Sequence, residues 1–392
     1  MRAGGVGGEG RGGRRRARRW AASVALLLTG CASFHVLATS ADADVDVAGG
    51  DGGQTVATTR DATADARREP DAALGHDATV TMDAPKDANG GLDHGSPPDA
   101  VADVAPPPPL WTQEVSNLFA TDLYAIWGTG PTDVYAAGEN GSIVHSVGGG
   151  VWTVDAQLPT VGVFVGIWGT SPTNVYAITD VGYVCQSSGD AHWSCATIAE
   201  DLTAIWGPSA EYCYLVSDVG VITRLVEPGQ LVTTELNGHS AYGFWGVWGS
   251  GPGDVYVAGD NGEVLHSDGD AGWTPEIAGQ PGTGGTLWGS GPTDIYEVGG
   301  TVPFHSSGGG KWAAETTPTT TTALFGVWGS SASDVYITGD VGTVLHRVDG
   351  GAWTAEATAS TVPLNAVWGS GPTDVYAVGG SATILHRTGL GM

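Results

Sequence analysis

From residue 121 onward, short apolar runs alternate with breaks of Gly, Pro, Thr, Asn and Asp. Between Leu123 and Trp152 the runs are rich in β-branched and aromatic residues, which fit a pleated, half-buried surface. They predict four strands, a to d: Leu123–Trp127, Asp133–Ala137, Ser142–Ser146 and Trp152–Asp155. The break before strand b reads Gly-Thr-Gly-Pro-Thr-Asp, where Pro fixes φ and Asp bonds local backbone. The same break stands at Gly251-Pro252-Gly253-Asp254, Gly291-Pro292-Thr293-Asp294 and Gly371-Pro372-Thr373-Asp374. The b–c break is Glu139-Asn140-Gly141 in one unit and Asp260-Asn261-Gly262 in another, a hairpin signature.

The unit recurs with its Trp-Gly pair at Trp127, Trp168, Trp206, Trp248, Trp288, Trp328 and Trp368, at intervals of 41, 38, 42, 40, 40 and 40 residues. Four short strands on that period describe a propeller blade, which buries its faces only by stacking on neighbours. The fold expected is all-β, a seven-bladed β-propeller. A second Trp opens strand d at Trp152, Trp193, Trp273, Trp312 and Trp353; the third repeat has Leu231 and Val232 there, and the seventh ends before any strand d. One Trp-Thr pair stands ahead of the repeats, Trp111-Thr112, matching Trp152-Thr153, Trp273-Thr274 and Trp353-Thr354. Trp111–Val115 is therefore expected to supply the last blade's outer strand, closing the ring and removing an unpaired edge.

The repeat Trp-Gly-x-Gly-Pro-x-Asp-Val-Tyr-x-x-Gly, ending in His-Ser-x-Gly-Gly-x-Trp, resembles bacterial extracytoplasmic propellers of the broad YVTN/BNR-like superfamily. It resembles the Asp-box repeat only distantly. Ser146 to Trp152 and Ser267 to Trp273 are six apart where that box has seven, and Gly148 and Gly269 take the Asp position. The resemblance covers residues 111–392 and implies a fold rather than an activity.

The first 109 residues read differently. Arg14, Arg15, Arg16, Arg18 and Arg19 precede the apolar run Trp20–Leu28, too short to span a bilayer, so residues 1–30 are expected to be a signal peptide. The run ends in Leu28-Thr29-Gly30-Cys31, which resembles the lipobox of bacterial lipoproteins. That resemblance implies lipidation of Cys31, and Ala32 after it implies passage to the outer membrane or cell surface. Residues 31–109 are rich in Asp, Ala and Pro, nearly lack aromatics, and end in Pro106–Pro109. Such a composition buries too little to offset the entropy of ordering, so a disordered tether is expected, with the propeller occupying 110–392.

Charge narrows the partners. The chain carries a formal net charge of −27, and residues 111–392 hold four basic side chains (Arg224, Lys311, Arg347, Arg387) against twenty-seven acidic ones. Such a ring repels phosphate backbones and anionic lipid faces, so nucleic acid is excluded and the membrane is reached through the N-terminal lipid alone. Partners with basic patches, or cations, are favoured. No cofactor is expected, though the acidic surface leaves room for a calcium ion.

Candidate chemistry is sparse. Strand c carries His145, His266, His305, His346 and His386, with Gln186 and Arg224 in the remaining blades. Equivalent positions on different blades stand too far apart to share a metal, so each His is expected to satisfy a local turn or aromatic neighbour. Asp133, Asp254, Asp294, Asp334 and Asp374 head strand b, replaced by Asn174 and Tyr212 in blades two and three, and are expected to cap the a–b turn. One turn Asp per blade does not make the paired carboxylates of a glycosidase. Cys185 and Cys195 fall on neighbouring strands of blade two and are expected to form a disulfide in an exported protein; Cys213 is expected to be buried and free. Tyr242, Phe244 and Trp245, before Trp248, form an aromatic stretch offered as a ligand-contact loop, with local core filling as the alternative.

The expected function is therefore a non-catalytic binding or scaffold propeller, a monomer contacting a protein or glycan of the cell envelope through the loops of one mouth. A carbohydrate-active hydrolase or lyase on the same fold is the rival, requiring converging acids and a cationic subsite. A structural surface-layer component, with a self-associating face, is the third class.

Overall fold

A computed structural model describes residues 110–114, 121–198, 200–209, 212–226, 231–234, 243–269, 272–277, 284–318 and 322–389. The expected signal peptide, Cys31, the tether, Val115 and Tyr242 lie outside the described residues. The strands form seven four-stranded antiparallel sheets, each in the order a-b-c-d. Blade one is Leu123–Gly130, Asp133–Gly138, Ser142–Ser146 and Trp152–Gln157. Strand a runs two residues past the Trp-Gly pair, through a bulge, before the turn. Each strand a packs between the strands a of both neighbouring blades, round to the seventh against the first, so the ring is closed.

Closure is made where the lone Trp-Thr pair predicts. Trp111–Glu114 pairs antiparallel with Thr383–Thr388, in the register Trp111 to Arg387 and Glu114 to Ile384, as the outer strand of blade seven. The pairing leaves no inner or outer strand of that blade unmatched. In blade three, Leu231–Thr234 supplies strand d without the tryptophan.

The Trp-Gly pair is explained by the stacking of blades. Six of the seven Trp lie over the glycine of the following pair: Trp127 over Gly169, Trp206 over Gly249, Trp248 over Gly289, Trp288 over Gly329, Trp328 over Gly369 and, across the closure, Trp368 over Gly128. A Cβ on Gly169 would stand 2.7 Å from the Trp127 ring and 2.5 Å from the Asn174 carbonyl, so no larger residue fits. Within a blade the same Trp stacks on the Tyr of strand b, as Trp127 on Tyr135 at 6.4 Å and Trp168 on Tyr176 at 6.2 Å. Core residues alternate between neighbouring blades. Leu123, Phe164, Leu202, Phe244, Leu324 and Leu364 open their strands a fully buried.

Cys185 and Cys195 face each other across strands c and d of blade two and are joined by a disulfide. Cys213 is free and buried on strand b of blade three, and burial pushes its thiol up to about 12, so it is inert as a nucleophile.

Candidate functional site

The ring has two mouths. One is made of the a–b and c–d turns, the other of the b–c turns and d–a connections. Backbone bonds such as Glu139 N to Asp122 O and Asp180 N to Val163 O tie the latter pair together.

At the first mouth the repeated polar residues form one arrangement. The Asp heading strand b accepts from a Ser or Thr four residues earlier with one oxygen and faces the strand-c His Nε2 with the other. Ser290 Oγ to Asp294 is 2.6 Å and Asp294 to His305 Nε2 2.8 Å; Ser330 to Asp334 is 2.5 Å and Asp334 to His346 2.7 Å. The imidazole lies flat on the strand-b Tyr, at 3.9 Å for Tyr336–His346 and Tyr376–His386. In blades four to seven its Nδ1 meets an acid on strand d or next to it: Glu356 for His346 at 2.8 Å, Glu114 for His386 at 2.7 Å, Glu315 for His305 at 3.3 Å, Glu276 for His266 at 3.6 Å. That acid in turn accepts the indole N–H of the next blade's second Trp. Trp111 donates to Glu356 at 2.6 Å, Trp193 to Asp155 at 2.6 Å, Trp312 to Glu276 at 2.8 Å, and Trp152 donates to Glu114. A hydroxyl, two carboxylates, an imidazole and an indole thus form a chain that latches one blade to the next.

The sequence obeys this latch where it is missing. Blade two carries Ala196 in the acid position, aligned with Glu276 by its pairing to Val184, and blade three correspondingly lacks the second Trp. Blade two also replaces the Asp–His pair by Asn174 and Gln186, bonded at 3.0 Å, with Gln186 reaching the Tyr176 hydroxyl. Blade three replaces it by Tyr212 and Arg224, bonded at 2.8 Å. Arg347 and Arg387 stand one residue after the His and reach back to the preceding blade, to Glu315 and Glu356, both at 3.2 Å. In blade six this draws Glu315 away from Trp353, whose buried Nε1 has no partner among the described residues.

Ser, His and Asp together suggest a nucleophile triad, but their order rules that out. The hydroxyl donates to Asp and not to His, and both imidazole nitrogens of His346 and His386 are held by carboxylates. Burial alone would lower the His386 pKa; the hydrogen bonds it donates to Asp374 and Glu114 override that and raise it to about 9. His346 is raised in the same way by Asp334 and Glu356. An imidazole already protonated at both nitrogens is not a general base. Among the described residues no group of His, Cys, Asp and Glu converges to hold a metal ion. A shallow depression of about 430 Å³ beside the blade-two c–d hairpin is lined by Thr173, Gln186, Ser187, Ser188, His192, Trp193 and Ser194, with no carboxylate among them.

The latch makes stability pH-dependent with a definite sign. His386 carries a raised pKa, so its contribution is complete below its ordinary value of 6.5 and is lost as pH rises through about 9. Burial opposes ionisation of Asp374, yet the His386 and Ser370 hydrogen bonds hold its pKa below 3.8, so its contribution is present above 3.8 and lost as pH falls through the depressed value. The unfolding midpoint should be highest on the acidic side of neutrality and fall from pH 6.5 toward 9. The double variant Asp374→Asn/His386→Gln, which copies blade two, should flatten the alkaline limb in a melting series. An unchanged limb would contradict the assignment.

The second mouth carries the sequence-predicted aromatic stretch, and part of that expectation is corrected. Phe244 is fully buried at the start of strand a in blade four and offers no face to a ligand, because it fills the core position held elsewhere by Leu123 and Phe164. Trp245 is half-buried, lies against Gly284 of blade five, and donates Nε1 to Asp260 at 2.8 Å. Tyr124 holds the same place in blade one and meets Glu139 at 3.5 Å. Of the b–c turn acids, Asp180 caps the incoming backbone, accepting from Val163 N at 2.9 Å, whereas Asp340 accepts from Val341 N of its own turn at 2.8 Å. Beside them Val181, Val219 and Val341 are 50, 62 and 57% exposed at the middle of Asp-Val-Gly turns, and Val302 is 39% exposed in the matching turn of blade five. Sequence reasoning passed over these valines, although the repeated Asp-Val-Gly triplet, an apolar residue in a turn, was the available signal.

The fold defines a closed seven-bladed propeller, and solved propellers resemble it. No protein-family model and no curated protein sequence matches the chain. YCF48 from Cyanidioschyzon merolae superposes with a TM-score of 0.59 at 14% identity, covering 71% of this chain and 98% of that one; YCF48 has also been solved bound to D1 peptide. A catalytically inactive virginiamycin B lyase from Staphylococcus aureus with quinupristin gives 0.63 at 13% identity, covering 71% and 99%. The RRP9 WD40 repeats give 0.60 at 11% identity, covering 71% and 97%. At these identities the likeness is one of fold, shared by proteins that bind and by an enzyme.

Proposed function

We propose that this chain is a binding propeller, exported and anchored through lipid on Cys31 and akin to the extracytoplasmic YVTN/BNR-like propellers, that holds a protein partner on the mouth of its b–c turns and d–a connections. The observation carrying this reading is the set of exposed valines on four blades of that mouth, Val181, Val219, Val302 and Val341. A lone exposed valine is ordinary, but its recurrence in the same turn of several blades of one mouth suits a surface that another molecule covers. The c–d turns also expose Val147, Val151 and Val348, on two blades. The Asp and His residues that repeat on that other mouth are engaged in the blade-to-blade latch, and among the described residues they leave no acid–base pair for a carbohydrate-active hydrolase or lyase. A glycan partner in place of a protein would need stacking faces, and of the aromatic stretch Phe244 is buried and Trp245 is bonded to Asp260. YCF48, of the same fold, has been solved with a bound peptide.

Affinity capture from the native envelope with the full chain tests the reading. A partner retained by the intact protein and released by Val181→Ser/Val219→Ser supports it. Retention by that variant, with loss on Val147→Ser/Val348→Ser, overturns it. Mass spectrometry of the native N-terminus tests the anchor, and an unmodified start other than Cys31 contradicts it.

A further inference from the structure

We infer that the partner bound at this mouth presents a basic, aliphatic protein segment, with Lys or Arg side chains set beside aliphatic ones. The inference rests on the binding reading above and adds the partner's chemistry.

Charge is divided unequally between the mouths. Residues 111–392 contain four Lys and Arg residues: Arg224 in the middle of strand c of blade three but bonded to Tyr212 at the head of strand b, Arg347 and Arg387 near the ends of strands c, and Lys311 just before strand d. All lie toward the a–b/c–d mouth, where the repeated Asp residues also face histidines. The opposite mouth carries Asp122, Glu139, Asp180, Asp201, Asp260 and Asp340 with no Lys or Arg beside them in its described turns. Several of these acids are fixed in place by neutral donors: Asp122 by Ser381 N at 2.8 Å, Asp180 by Val163 N, Asp260 by Gly243 N and the Trp245 indole. Such donors orient a carboxylate without cancelling its charge. Burial raises the Asp180 pKa, and the charge of Asp201 from the next blade's entry adds to it, so like charges already crowd there. An arriving cation relieves that crowding.

The apolar half of the surface is as specific. In the Asp-Val-Gly turns an acid and a valine are adjacent, so each turn offers a charge and an aliphatic contact together. Val341 holds this place at φ 55°, in the left-handed region, where the equivalent turns of blades one and four use Asn140 at 57° and Asn261 at 62°. A β-branched residue there is strained by about 1 kcal/mol or more. The exposed valine therefore lowers stability at a place where Asn is accommodated, and contact with a partner gives the side chain a use.

The test is fluorescence anisotropy on the full chain with three labelled peptides: alternating Lys-Leu, alternating Glu-Leu and alternating Lys-Gly. Lys-Leu should bind and weaken about tenfold or more from low to high salt, as attraction between charges is screened. Glu-Leu and Lys-Gly should not bind comparably. Val341→Asn should raise the melting temperature while weakening Lys-Leu binding several-fold; Val181→Ser and Val219→Ser should weaken it too, and Val348→Ser, at the other mouth, should not. A stabilised Val341→Asn with unchanged binding overturns the inference, as does equal binding of Glu-Leu or Lys-Gly. If envelope capture depends on Val181 and Val219 but Lys-Leu does not bind, the basic partner is wrong and the mouth is right. If neither depends on them, both fail.

Discussion

Replacing Trp111 by Ala is expected to destabilise the ring by about 3–5 kcal/mol, the range for truncating a fully buried Trp. Trp111 is 1% exposed, lies edge-on to Tyr336 of blade six at 6.3 Å, and donates its indole N–H to Glu356. It also belongs to the strand that carries Glu114, which holds His386 and Trp152. The side chain thus spans the junction of blades six and seven, and its strand that of blades seven and one. Urea denaturation followed by Trp fluorescence reads the loss as a lower midpoint. A change below about 1 kcal/mol, the range of an ordinary surface substitution, would mean that Trp111 does not hold the closure.

Glu356→Ala is expected to cost a comparable amount, about 3–5 kcal/mol, as when one partner of a buried ion pair is removed. Glu356 is 8% exposed and receives Trp111 Nε1, His346 Nδ1 and Arg387 Nε at 2.6, 2.8 and 3.2 Å. Burial alone would raise its pKa, but the hydrogen bonds from His346 and Trp111 and the charge of Arg387 hold it below the ordinary carboxylate value. Removing it leaves an indole N–H and a guanidinium without their acceptor. Glu356→Gln, which keeps an acceptor but not the charge, should cost less. A double-mutant cycle with Trp111→Phe should show coupling of the two sites across the blade boundary. Additive losses would contradict the latch.

The architecture is legible in the sequence because every blade repeats the same constraint. The Trp-Gly pair marks an indole resting on the next glycine, and the stray Trp111-Thr112 is recognisable because five other blades carry a matching Trp. The Cys185–Cys195 pairing follows from strand register alone. The latch is less legible, since its members lie on different strands and different blades. One trace was present. An acid stands three residues after the outer Trp in Glu114, Asp155, Glu276, Glu315 and Glu356, and is absent at Ala196, ahead of the blade without that Trp. The turn Asp residues show the limit of local reasoning. A bond within the turn is made, by Ser290 or Ser330, but the other oxygen crosses to strand c. The aromatic stretch before Trp248 misleads for the opposite reason: read in isolation Phe244 and Trp245 resemble a loop, whereas aligned on Leu123 and Tyr124 they begin strand a. The exposed valines escape notice because a single apolar residue in a turn carries little weight until its accessibility is known.

Hydrogen exchange of the strand Thr383–Thr388, in the full chain and in a variant lacking residues 111–114, tests the closed ring most directly. The amides of that strand that face Trp111–Glu114 should be protected in the intact protein and exchange at least tenfold faster, about 1.4 kcal/mol of opening free energy, once the outer strand is removed. Equal protection in both proteins would show that the seventh blade is complete without its N-terminal strand.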